Sequence, residues 1–277
     1  MKLHETLVVP DDVNLFFVGD IHGEHDMLED ALKLAGHKEK DYVVCVGDLI
    51  DRGPKNLQVL AKFLFNPRFR SVIGNHDAFM MFGDYANWMY NGGMWAMNDM
   101  DHDTIKGLAR DMLAKMPFMM TVEHRGKRYG VVHAAVPFVY KETGLDVVTP
   151  EWDQIVNGLP EKFKYGEQEP YIWDRDVIRE VAFNMALEGK TEGDPYFDKY
   201  TAGFKEFTKV AVPPVLGVDL VFHGHTGIPF PFKYENRVYL DTGGTFNGAL
   251  TVASLVNDQL YCFTTDRNDP CGKVRII

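Results

Sequence analysis

The chain is poor in cysteine, with three in 277 residues: Cys45, Cys262 and Cys271. An odd number without paired spacing excludes a disulfide framework or a zinc cluster as the organising device. It points to a reducing, cytoplasmic compartment. Cys45 lies in an apolar stretch and reads as a small core residue. Long apolar runs are also lacking: none approaches the ~20 residues of a membrane span. The first residues show no apolar stretch or small-residue cleavage site of a signal peptide. Positive charge is scarce, 29 Lys and Arg against 40 Asp and Glu, for a net charge of -11. Such a chain repels nucleic acid and anionic membrane, so neither is expected as a partner. Any anionic substrate then depends on a local positive site, from bound metal or placed arginines. Neither a linker nor a tandem repeat is visible, and residues 1–277 read as a single domain.

What is present is a globular composition, 45% hydrophobic and 25% charged, carrying a repeated local pattern. The apolar run Leu15 to Val18 reads as a buried strand and leads into Gly19-Asp20-Ile21-His22-Gly23. Side chains two apart on extended backbone share a face, so Asp20 and His22 can converge on one point. A helix from about Glu24 to Ala35 follows. A second strand, Tyr42 to Val46, leads into Gly47-Asp48-Leu49-Ile50-Asp51-Arg52-Gly53 and a helix starting near Pro54. A third, Phe69 to Ile73, leads into Gly74-Asn75-His76-Asp77 and another helix. Three strands ending in glycine plus polar residues at a helix start argue for a layered α/β fold with its chemistry at the carboxyl edges of the strands.

Residues 1–13 read as a polar lead-in with a short apolar run, Leu7 to Val9. Residues 78–117 read as Met-rich helix, a plastic core or groove lining, broken at Gly92-Gly93. Strands Phe118 to Val122 and Tyr129 to Val132 precede His133. Segments 138–170 and 188–215 read as long surface excursions either side of Ile172-Trp173-Asp174-Arg175. Val218 to Phe222 leads into His223-Gly224-His225, and Arg237 to Leu240 into Asp241. His4, His25, His37, His102 and His124 lack strand-end context and read as surface residues. His223 reads as structural or as supporting a ligand, and Asp241 as a structural turn or a residue orienting a ligand histidine. Asp101 and its neighbours Asp99 and Asp103 read as a solvated turn and helix cap, since no glycine or closing Glu completes a calcium loop.

The strand-end set mixes carboxylate, imidazole and amide without thiolate. That mixture suits Mn²⁺, Fe²⁺ or Zn²⁺. Five or more such ligands suggest two ions, an arrangement that clamps both oxygens of an in-line displacement at phosphorus.

The blocks GDIHG (19–23), GDLIDRG (47–53) and GNHD (74–77) resemble those of the phosphoprotein phosphatase branch of the metallophosphoesterases. VVHAA around His133, IWDR around Arg175 and GHT at His225 extend the likeness, as do WMYNGGMW (88–95) and YLDTGGTFNG (239–248). Their order is similar to that of the bacteriophage lambda phosphatase group and its bacterial relatives. The resemblance implies a calcineurin-like β-sandwich flanked by helices in four layers. It also implies a serine/threonine protein phosphatase, acting on phosphoprotein or small esters through direct attack of a metal-bridging hydroxide. By position, Asp20 and His22 would bind one metal, Asp48 would bridge, and Asn75, His133 and His225 would bind the other, most simply Mn²⁺. His76 would be the general acid, oriented by Asp51, with Arg52 and Arg175 on the phosphoryl oxygens. Asp77 stands where the protein phosphatases carry Glu, and Asp is common in the dinucleoside-tetraphosphatase branch. A bis(5'-nucleosyl)-tetraphosphatase is therefore the alternative. A third reading, a binding scaffold on an inactive phosphatase fold, conflicts with the full ligand set.

Overall fold

The computed structural model describes residues 2–140, 147–164, 166–198 and 209–277. Residues 141–146, 165 and 199–208, parts of the two expected excursions, lie outside the described residues.

Two six-stranded sheets face each other. In one, β2 (Leu15–Val18), β3 (Tyr42–Cys45) and β4 (Phe69–Ser71) are parallel. β12 (Ala249–Val256) lies antiparallel beside β2, and β13 (Gln259–Asp266) and β14 (Asp269–Ile276) continue the sheet as hairpins. In the other, β1 (His4–Val8) runs parallel to β5 (Met119–His124), which pairs antiparallel with β6 (Lys127–Val132). β9 (Leu220–His223) and β11 (Arg237–Tyr239) extend it in parallel, and β10 (Phe232–Tyr234) closes the edge. β7 (Val139–Tyr140) and β8 (Val147–Val148) form a separate ribbon.

The period-2 pleat explains the layering. Leu15 and Phe17 on β2, with Val44 on β3, face the inter-sheet core alongside Val131, Phe222 and Val238. Their neighbours Phe16, Val18, Val43 and Cys45 face the other way. There they pack against α1 (His25–Leu34) and α2 (Asn56–Phe65), through Leu28, Ala31, Val59 and Phe63. Phe17 stacks on Phe222 across the sandwich, ring centroids 3.7 Å apart. The outer face of the second sheet is covered by Trp152 and, further along, by helix Asp176–Leu187. The order of layers is therefore helices, sheet, sheet, helices.

Several elements depart from the reading of the sequence. Residues 4–8 are an edge strand rather than a lead-in, and Leu3, Leu7 and Val9 are buried. Segments 138–170 and 188–215 are not wholly superficial: Trp152, Phe197 and Val215 are buried. Trp152 sits alone between Glu151 and Asp153, and Phe197 and Val215 lie in short runs interrupted by proline, so none leaves a helix or strand period to detect. Buried Arg237 anchors the chain just before the first segment and near the end of the second, donating to the carbonyls of Val136 at 3.1 Å and Pro213 at 3.5 Å. α2 starts at Asn56, two residues after Pro54, because the Asn56 side chain clasps the preceding loop. It accepts from the Asp51 amide at 2.8 Å and donates to the Gly53 carbonyl at 2.8 Å. Of the five histidines expected at the surface only His102 is exposed, and His124 is buried. His37 packs edge-on between Phe16 and Phe69, and His4 hydrogen-bonds Thr121 at 2.8 Å. Asp101 does cap its helix, accepting from Thr104 N at 2.7 Å. Among the described residues no helix is long and apolar enough to cross a membrane.

Trp152 packs on the second sheet and its indole donates to Thr121 Oγ1 at 2.8 Å. Trp152→Ala is expected to cost about 3–5 kcal/mol in urea unfolding. A loss under ~1 kcal/mol would mean the outer layer is dispensable.

Candidate metal centre

Each candidate ligand leaves a strand at its carboxyl end. Asp20 and His22 follow β2, Asp48 follows β3, and Asn75 and His76 open α3 (Asn75–Phe82) just after β4. His133 follows β6 and His225 follows β9, so both sheets contribute. All seven side chains are buried. Local backbone is bent to aim them: His22, Asp48, Asp51, Arg52 and His225 all have positive φ, between 48° and 79°. Such conformations cost of order 1–3 kcal/mol each for non-glycine residues and persist only where the surroundings enforce them. Two glycines allow backbone to press against the carboxylates. A Cβ on Gly74 would fall 2.1 Å from Asp48 Oδ1, and one on Gly224 2.0 Å from Asp20 Oδ1.

Hydrogen bonds set the imidazole tautomers. His22 Nδ1 donates to the Ile50 carbonyl at 2.9 Å and His133 Nδ1 to the Val46 carbonyl at 2.9 Å. Each Nε2 therefore presents a lone pair. Both lie 3.5 Å from Asp48 Oδ2. His225 Nε2 donates to the Trp173 carbonyl at 3.2 Å, which turns its Nδ1 lone pair to Asn75 Oδ1 at 2.9 Å. His133 Nε2 faces the same amide oxygen at 3.1 Å. Carboxylate, amide and imidazole acceptors thus converge face to face, a repulsive arrangement that a cation makes attractive. His22, Asp48 and His76 bring ligand atoms within 4.8 Å of one another, and so do Asp20, Asp48 and His133. Asp48 is shared by both groups, so the donor set fits two cations around a common carboxylate.

The electrostatics agree. Burial lowers the pKa of His22 to about 3 and pushes those of His133 and His225 down, keeping the rings neutral and ligand-competent. Burial, then the charges of Asp241 and Asp48, hold the Asp20 carboxyl well above its usual range. Arg52 brings positive charge into this acidic pocket, donating to His22 Nε2 at 2.8 Å and His76 Nε2 at 2.7 Å. Arg175 stands at the rim, bonded to the His225 carbonyl at 3.2 Å and Thr226 Oγ1 at 3.0 Å. His76 Nδ1 meets Asp51 Oδ2 at 2.8 Å. His223 stays outside the cluster, buried and stacked on Tyr239. Asp241 accepts from Gly243 N at 2.8 Å, as a turn residue does, while burial raises its pKa to about 6.

Reading the sequence missed residues that hold the ligands. Asp77 accepts from the amides of Asp48 at 2.9 Å, Leu49 at 3.1 Å and Gly74 at 2.9 Å. It locks the loop after β3 to the start of α3. The available signal was an acid at the third position of a helix, where the sequence reading weighed Asp77 only as a departure from a motif. Trp88 and Trp95 both bond Asp51, a role that neither the glycine-broken helix nor the WMYNGGMW resemblance assigns to them.

A model of the calcineurin-like phosphoesterase family matches residues 13–229. Serine/threonine-protein phosphatase 2 of Salmonella typhimurium is 26% identical over 86% of this chain and 91% of its own length. The symmetrical bis(5'-nucleosyl)-tetraphosphatase of Vibrio parahaemolyticus is also 26% identical, over 92% of this chain and 99% of its own. A serine/threonine phosphatase structure from Saccharomyces cerevisiae superposes over 100% of this chain and 83% of that one, with TM-score 0.58 and 11% identity, a likeness of fold alone.

If Asp77 holds Asp48 in place, Asp77→Asn should weaken Mn²⁺ binding in calorimetry by about 10–100-fold without unfolding the protein. Undiminished affinity would show that the loop positions Asp48 unaided. Chelation should lower the melting temperature and added Mn²⁺ restore it, since a cation bound only to the native state stabilises it.

Proposed function

Since this chain belongs to the calcineurin-like phosphoesterase family, we propose that it is a metal-dependent phosphomonoesterase. Its substrates on this reading are phosphoserine and phosphothreonine in proteins, together with small phosphate esters. The observation that carries the reading is the convergence of His22 and His133 on Asp48, with Arg52 and His76 beside them. Two divalent cations held there, Mn²⁺ first and Fe²⁺ or Zn²⁺ as alternatives, would lower the pKa of a water and neutralise charge at phosphorus. Asp20 and His22 would hold one cation and Asn75, His133 and His225 the other, with Asp48 shared.

The protein's own groups supply the rest. Asp51 takes the Nδ1 side of His76, so Nε2 is the atom from which a proton can pass to the leaving alkoxide. Arg52 donates to that nitrogen at 2.7 Å here; turned onto the phosphoryl oxygens through its planar fork, with Arg175 on the rim as a second donor, it would leave Nε2 free to carry the proton. Beside Asn75 opens a groove of about 720 Å³. Phe79, Phe82, Phe163, Trp173 and the lysines Lys162 and Lys164 line it, and it offers room for the remainder of a bulky substrate. The named relative in Salmonella, a serine/threonine-protein phosphatase aligned over most of both chains, supports this assignment. A cytoplasmic location belongs to the same proposal.

Specific observations favour a second substrate class, the dinucleoside polyphosphates: Asp77 in the third block, a tetraphosphatase relative of full-length coverage, and aromatic groove walls on which a base could stack. Turnover of a phosphoserine peptide, p-nitrophenyl phosphate and diadenosine tetraphosphate under Mn²⁺ separates the two. The phosphopeptide and p-nitrophenyl phosphate should be hydrolysed faster. Preference for diadenosine tetraphosphate would move the assignment to the second class. On the phosphoserine peptide, Asp20→Asn and His76→Asn should each lower turnover by about 10²–10⁴-fold with the fold retained. Unchanged rates in both would refute the chemistry.

A further inference from the structure

Asp51 is buried among three donors. Its Oδ2 faces His76 Nδ1 at 2.8 Å, while its Oδ1 accepts from Trp88 Nε1 at 2.8 Å and Trp95 Nε1 at 2.9 Å. Two indoles meet on one carboxylate oxygen, and the chain bends to bring them there. The two residues are seven apart, which in a straight helix would separate them by about 10.5 Å along the axis. Instead a single π turn, Met89–Gly93, intervenes, with Gly92 at φ 110°. The kink brings the indoles to 6.2 Å between centroids, at 89° to one another, with both N–H groups on the same atom. Gly92 also accepts from the Arg52 amide at 3.5 Å, so the turn is clasped to the loop that carries Asp51.

The choice of donor matters. A lysine or arginine here would orient Asp51 but also offset its charge. Indole N–H groups are neutral and cannot accept, so they fix the carboxylate's direction and leave its charge to the imidazole. We infer that Trp88 and Trp95 are positioning residues for proton delivery, acting through Asp51 on His76. This rests on the reading of His76 as general acid.

The test exploits leaving-group chemistry. An alkoxide leaving from phosphoserine needs a proton, whereas p-nitrophenolate departs without one. Trp95→Phe keeps a ring and removes one donor, at the less buried of the two indoles. Its kcat on a phosphoserine peptide should fall about tenfold, while kcat on p-nitrophenyl phosphate stays within about twofold. KM and calorimetric Mn²⁺ affinity should be unchanged. If Trp95→Phe does not fold, Trp88→Phe removes the other donor and is read on the same scale. His76→Asn is run in parallel and should show the same selectivity, more strongly. Equal losses on both substrates, or no loss, in the tryptophan variant while His76→Asn discriminates would overturn the inference alone. A His76→Asn enzyme that does not discriminate would overturn the general-acid reading, and the inference with it.

Discussion

The structure depends on holding together groups that repel one another. Asp48 Oδ2 faces the lone pairs of His22 and His133, each at 3.5 Å, and Asp20 is crowded by Asp48 and Asp241. None of these contacts stabilises the fold by itself. They are imposed by a scaffold whose own favourable interactions lie elsewhere, chiefly in the two apolar layers either side of the sheet that carries Asp20 and Asp48. Burial of that apolar surface is the large favourable quantity in folding, and a strained cluster of acceptors is tolerated where it is attached to it.

How the imposition works is local and traceable. Carbonyls of Ile50, Val46 and Trp173 each take one ring N–H, so three histidines present their other nitrogen to the cluster. The Asp77 carboxylate gathers three backbone amides and so pins the left-handed turn at Asp48 against the start of α3. Asn56 does the same for the turn at Asp51. In each case a buried polar group serves the geometry of a neighbouring ligand, and its own hydrogen bonds are satisfied by doing so. Arg52, itself in a left-handed conformation, reaches across to His22 and His76 and ties the loop after β2 to the start of α3 through a single guanidinium.

Much of this was legible from the chain alone, for a definite reason. β2 and β3 are short, continuous apolar runs, and polar residues directly after such runs must lie at one edge of a sheet. Asp20, His22, Asp48, Asn75, His133 and His225 could be picked out by that rule, and the structure brings them together. The rule fails where burial leaves no pattern. β1 turns Leu7 inward but leaves its neighbour Val8 exposed, Trp152 is solitary, and His124 is buried although its sequence neighbours are charged. It also fails for groups that act through others, such as Asp77, Trp88 and Trp95, whose partners are remote or are backbone amides.

What the sequence by itself determined is the chemistry available: which strands end in which ligands, the absence of thiolate among them, and a net negative charge that makes two arginines conspicuous. Those are properties of adjacent residues, where backbone periodicity ties spacing to direction. What only the tertiary structure decided is who meets whom. That His225 donates its amide to Asp20 across 205 positions, or that two indoles share one oxygen of Asp51, follows from the packing of one sheet on the other and from a kink at Gly92. Contacts of that kind are set by the shape of the whole core, and no local stretch of chain contains it.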